Sequence, residues 1–175
     1  FLGFLIAVCI EIFRFSICFG IEDTFYTKKQ IRQRLNIPVL GLWYQLDNHH
    51  DGEEELQTSL AVQSVMNQDV IFADIIKGNY AEQFYEQYTS IFSSKENGSL
   101  QTISYPIIKQ EEYDKLENAN VILVIPFGVP CANQAEDIVC ELQRRNCHIA
   151  GAVLTNCNYK WVKAYYNKFS TVRGK

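Results

Sequence analysis

The stretch ANVILVIPFGVPCANQAEDIVCELQRRNCHIAGAVLTNC, residues 119–157, constrains the fold more than any other part of the chain. Residues 121–125 form an unbroken run of Val, Ile and Leu, the pattern of a strand buried on both faces. Residues 134–145 read as a helix, and residues 148–154 return to an apolar strand. Two strands of one sheet joined through a helix follow the right-handed crossover rule and run parallel. The chain is therefore expected to be α/β, with a mostly parallel sheet flanked by helices, a type of fold that commonly binds nucleotides.

Length and composition fit one such domain with an appendage. The chain has 175 residues, 47% hydrophobic and 21% charged, enough to bury a core. A formal net charge of -4 argues against nucleic acid as a partner. Residue 1 is Phe, so the chain reads as a fragment or a processed product.

The appendage is at the N-terminus. FLGFLIAVCIEIFRFSICFG is apolar apart from Glu11 and Arg14. A full membrane span needs about 20 apolar residues, so residues 1–22 read as the C-terminal part of a transmembrane helix. Glu11 and Arg14 are spaced to pair on one helical face near the interface. Lys28, Lys29, Arg32 and Arg34 follow at once, as interface cations that the positive-inside rule assigns to the cytoplasm. Residues 23–48 then form a basic juxtamembrane helix and strand. In it, Thr27 and Gln30 have capping-box spacing, the helix ends near Asn36, and IPVLGLW is an extended segment.

QLDNHHDGEEE is the expected linker, with His49 and His50 solvated rather than ligating. Residues 53–66 read as a helix, whereas residues 69–76 fit strand or helix. Tyr80, Phe84, Tyr88 and Phe92 recur every four positions, a core-packing stripe on a helix. SSKENGS is a loop whose Asn97-Gly98-Ser99 fits a glycosylation sequon, of no consequence in a cytosolic domain. LQTISYP reads as a strand and residues 109–117 as a short helix. The main domain spans 49–157, and the basic, aromatic tail 158–175 is helical up to Phe169.

Candidate chemistry is sparse. The six cysteines, at 9, 18, 131, 140, 147 and 157, include no CxxC pair. Even with His148 beside Cys147 they read as buried reduced thiols rather than a zinc site. Glu111 and Glu112 read as a solvated helical turn. A phosphate loop needs glycines whose amides converge on the phosphates, a Lys, and a Ser/Thr for Mg²⁺. Residues 53–77 contain no glycine, and no lysine precedes Ser or Thr. Residues 121–125 run into Pro126, Phe127 and Gly128 without a carboxylate. Asp74 ends DVIFAD as an acidic strand end, but with no phosphate loop to serve. The chain is expected to be non-catalytic and to hold no cofactor or metal.

The order of parts resembles a known family. An apolar stretch, then EDTFYTKKQIRQRLNIPVLGLW, then an α/β domain is similar to the end of polysaccharide chain-length determinant proteins and the attached bacterial tyrosine kinases (BY-kinases) of capsule and exopolysaccharide synthesis. Asp23, Thr27, Ile31, Leu35, Ile37, Pro38, Val39, Leu40 and Gly41 fit the family's junction. FADIIKGNYAEQF resembles the segment after its second strand, and Gly151, Val153, Leu154 and Asn156 its closing strand. AYYNKF stands where the kinases carry a tyrosine-rich tail.

The resemblance implies a degenerate P-loop-NTPase-like fold preceded by the end of a transmembrane helix in a bacterial plasma membrane, with residues from about Asp23 onward cytoplasmic. It further implies a membrane-anchored, homo-oligomeric, non-catalytic partner in polysaccharide assembly. BY-kinases or other assembly proteins would be its partners, and Tyr159, Tyr165 and Tyr166 its phosphoacceptors. Two alternatives are an atypical tyrosine kinase and a membrane-tethered binding module resembling cell-division or partitioning P-loop proteins.

Overall fold

The computed structural model describes residues 3, 6–14, 23–44, 57–58, 61–62, 70–91, 100–103 and 120–170. Five strands form one sheet: β1 (Val39–Tyr44), β2 (Val70–Asp74), β3 (Leu100–Ile103), β4 (Asn120–Pro126) and β5 (His148–Cys157). They lie in the order β1-β5-β4-β2-β3, and every neighbouring pair is parallel. Among the described residues, the helices α1 (Lys28–Leu35), α2 (Tyr80–Ile91), α3 (Ala132–Arg144) and α4 (Tyr159–Ser170) flank them.

Strands buried on both faces need an apolar residue at every position, and β4 supplies one nearly throughout. Its Val121, Leu123 and Ile125 enter a core shared with α1, α3 and α4 through Ile31, Leu35, Ala135, Leu142 and Val162. Ile122 and Val124 face the opposite core, with Trp43, Phe72 and the α2 residues Ala81, Phe84 and Tyr88. The aromatic stripe is thus core packing: Phe84 sits edge-on to Trp43 and to Phe72, with ring centroids 5.0 and 5.4 Å apart. Phe92 lies outside the described residues.

Helix α1 forms as its local sequence dictates. Gln30 N donates to Thr27 Oγ1 at 3.2 Å. The Gln30 side chain reaches back to accept from Tyr26 N at 2.8 Å, so two amides at the helix entry are satisfied reciprocally. Asn36 ends the helix in the left-handed region at φ 53°, which Asn tolerates better than most residues. Strand β1 belongs to the same sheet as the rest, paired to β5.

Several boundaries differ from the sequence reading. Within the ambiguous run 69–76, residues 70–74 are strand β2, held between β3 and β4. Helix α3 begins two residues earlier, at Ala132. Strand β5 continues to Cys157, because Pro126 of β4 and Tyr44 of β1 pair with Thr155 and Cys157. The expectation of buried thiols also needs correction: Cys131, Cys147 and Cys157 are buried, whereas Cys9 and Cys140 are exposed. His148 is the exposed first residue of β5, beside Asn120.

Residues 6–14 are helical, with Arg14 and Glu11 paired at 3.6 Å. Among the described residues, no helix is long and apolar enough to cross a membrane. The linker histidines His49 and His50, Glu111, Glu112, Cys18, the sequon and the short helix at 109–117 lie outside the described residues. Of the helix expected at 53–66, only residues 57–58 and 61–62 are described, and they are helical.

Candidate functional site

In an open parallel sheet, ligands bind beyond the carboxyl ends of the strands, where neighbouring strands send their connections to opposite sides. Here β2 leads through α2 to β3, and β4 leads through α3 to β5 on the other side. The two helices pack in opposite cores. The crevice therefore opens between the ends of β2 and β4, and it is rimmed by residues 75–79 and 127–131. Gly128 turns the second rim at φ 72°, a left-handed conformation that favours glycine.

Asp74 ends β2, level with Val124 of β4. It is 0% exposed. Its Oδ1 accepts from Ala81 N at 2.8 Å in the first turn of α2, while Oδ2 has no hydrogen-bond partner. Burial pushes the carboxyl up to about 6. The Ala81 and Tyr80 amides pull the other way, and nearby Glu82 adds to the rise. The first rim is Ile75-Ile76-Lys77-Gly78-Asn79, whose single glycine has the Tyr80 ring against it.

The second helix at the crevice is capped from afar. Cys131, the residue before α3, makes no side-chain cap. Asp23 takes that role across 110 residues of chain: its Oδ1 accepts from Asn133 N at 2.8 Å. Its carbonyl accepts from Cys131 N at 2.8 Å and Ala132 N at 2.9 Å. Burial, reinforced by Asp23 and opposed by Arg34, pushes the Cys131 thiol up to about 12. Such a thiol stays protonated and is no nucleophile.

Helix N-termini at a sheet's carboxyl edge attract anions. Both of these already hold a carboxylate of the chain itself. A triphosphate would meet Asp74 and Asp23 where it needs free amides, and among the described residues no glycine-rich turn supplies others. The residues at the crevice do not fit a Mg²⁺-nucleotide.

The other candidate residues are dispersed. Arg34 binds Glu136 and donates from Nη2 to Asn133 Oδ1 at 2.8 Å, tying α1 to α3. Lys29 and Arg32 are exposed and Lys28 is half-buried. Tyr159 packs its ring edge-on against Tyr44, with centroids 5.8 Å apart. Lys163 Nζ lies 5.5 Å from the Tyr159 ring centroid. The backbone of Tyr165 and Tyr166 belongs to α4. Cys147 and His148 are at the opposite, amino end of β5. Among the described residues, no three His, Cys, Asp or Glu side chains come close enough to hold a metal ion.

Sequence reasoning marked Asp74 as a strand end and Asp23 as a junction residue, but missed that each caps a helix. For Asp74 a signal existed, an Asp shortly before a helical stripe. For Asp23 none did, because its partners are distant in the chain.

Fold and site together define an α/β protein with an all-parallel five-stranded sheet. No protein-family model, curated protein or solved structure matches the chain.

Proposed function

We propose that the chain is a membrane-anchored, non-catalytic scaffold or regulator of capsular or exopolysaccharide biosynthesis, built on a kinase-like domain without a working nucleotide site. The observation that carries the non-catalytic half is the pair of aspartates at the crevice. Asp74 and Asp23 satisfy the helix amides that would otherwise receive phosphate. The polysaccharide half rests on the resemblance of residues 23–41 and 119–157 to chain-length determinants and BY-kinases. The anchor rests on the apolar residues 1–22, read as the end of a membrane span in a bacterial plasma membrane. In this role the domain acts by docking, as a homo-oligomer or on a kinase partner, and Tyr159, Tyr165 and Tyr166 are its phosphoacceptors.

Titrating the full chain in detergent with Mg-ATP tests the first half: the unfolding temperature should not move at millimolar nucleotide. A saturable rise, or phosphate transferred to any of the three tyrosines by the purified chain alone, would overturn it. Affinity purification from native membranes tests the second half. Glycan-assembly proteins or a tyrosine kinase should accompany the chain, and recovery of only division or partitioning proteins would overturn that assignment.

A further inference from the structure

We propose that the exposed face of α4 lies on an anionic lipid surface. The inference rests on the membrane-anchored reading above, and it adds a second, charge-dependent contact that the anchor does not require.

Three observations converge on it. First, Trp161 is 68% exposed, the most open large apolar side chain on the described part of the domain beyond Asp23. Lys160, Lys163 and Ala164 are exposed beside it, while Val162 points into the core. A tryptophan among lysines on a solvent-facing helix is the composition that settles at the headgroup level of a bilayer.

Second, charge is segregated. The whole chain carries a formal net charge of -4, yet residues 158–175 contain five Lys and Arg and no Asp or Glu. A protein partner would need an acidic surface to match this tail, and a second copy of the same basic face would repel it. An anionic leaflet attracts such a segment at short range.

Third, the tail leaves the domain at the edge where the N-terminal segment enters. Thr24 bridges to Pro130 in the β4–α3 loop, and Gly128 N donates to Phe25 O at 3.1 Å. Phe127 N in turn donates to Thr155 O at 2.9 Å, near the end of β5, just before α4. An anchor that ends at residue 22 therefore brings the edge from which α4 starts close to the bilayer.

The two tryptophans make the test direct, because Trp43 is buried in the core and Trp161 is not. The full chain is reconstituted in vesicles of neutral or of anionic lipid carrying brominated acyl chains. Trp161 should be quenched in the anionic vesicles and far less in the neutral ones, and the Trp161→Phe variant should lose that quenching. Each lysine neutralised, as in Lys160→Gln and Lys163→Gln, should lower the docked-to-undocked ratio about fivefold.

A chain that floats with both kinds of vesicle while Trp161 stays unquenched retains the anchor and overturns the docking of α4. Equal quenching in neutral and anionic lipid overturns it as well, as does burial of Trp161 that depends on protein concentration without lipid. A chain that fails to float with neutral vesicles, yet binds anionic ones through Trp161, supports the docking and overturns the anchor.

Discussion

At the scale of single residues, the two aspartates at the crevice differ in what they cost. Asp74 is buried with one oxygen unpaired, and its pKa is raised from 3.8 to about 6. The folded state therefore binds the proton more tightly than the unfolded chain. This group favours folding fully below its unfolded value, and the benefit is lost as pH rises through about 6. Asn cannot titrate, so the stability of Asp74→Asn relative to the native chain should rise by roughly 2 kcal/mol between about pH 4 and about pH 7.5. Urea denaturation at both pH values measures it, and a flat difference would mean that Oδ2 is paired or solvated. Asp23 is different, because its carboxylate is a cap on the surface. Asp23→Ala should destabilise by about 0.5–2 kcal/mol, whereas Asp23→Asn, which keeps the acceptor, should lose only the smaller interaction with the helix dipole. Equal losses in the two variants would assign the effect to charge alone.

At the scale of elements, strand β1 shows how closely a neighbouring segment packs on a strand where a glycine leaves room. A Cβ added to Gly41 would fall 1.8 Å from Thr58 Oγ1, and that hydroxyl donates to Leu42 O at 2.9 Å in a fully buried site. Gly41→Ala should cost about 1–3 kcal/mol by overpacking. Thr58→Gly removes the hydroxyl, the Cβ at 2.6 Å and the methyl at 2.8 Å that form the obstacle, along with the hydrogen bond, so the double variant should be more stable than the sum of the two losses predicts, by about 0.5–3 kcal/mol. Strict additivity in thermal unfolding would show that the segment at 57–58 simply moves away. Elements built from neighbouring residues were legible in the sequence. Thr27, Gln30 and Asn36 spell out α1 between them, and the apolar run of β4 followed by the helical spacing of α3 gave the crossover unit. What escaped was decided by distant partners. Residues 70–74 are strand because β3 and β4 pair with them on either side. Residues 155–157 stay in β5 because Pro126 and Tyr44 extend alongside. At the site, Asp74 could be read as a strand end and Asp23 as a junction residue, but not that they satisfy the helix amides there. Asp23 reaches α3 only once the sheet has brought residues 23 and 133 together.

At the scale of the whole molecule, the segment that reads as a juxtamembrane connector is part of the core. Phe25, Ile31, Leu35 and Ile37 are all buried in the cluster that spans α3 and the central strands. Burying side chains of this size contributes about 1.5–3 kcal/mol each, so the four together are worth about 6–12 kcal/mol. That matches the whole stability of a typical domain, about 5–15 kcal/mol. Arg34 adds a half-exposed ion pair with Glu136 on the same face, which at such exposure contributes at most about 1 kcal/mol and weakens with salt. The apolar contacts decide the outcome. A chain shortened to begin at Asp23 should keep one cooperative unfolding transition, seen together in far-ultraviolet circular dichroism and in the emission of buried Trp43. A chain shortened to begin at Val39 retains every strand but loses these four side chains, together with the Asp23 cap on α3, and should show no such transition. If it still unfolded cooperatively, α1 would be an accessory packed on an independent sheet, and any force or signal arriving from the N-terminal apolar segment would stop at the surface. If it does not, residues 23–37 are an integral layer of the domain, and the ends of β4 and α3 are held in place from the N-terminal side by Phe25, Ile31, Leu35, Ile37 and the Asp23 cap.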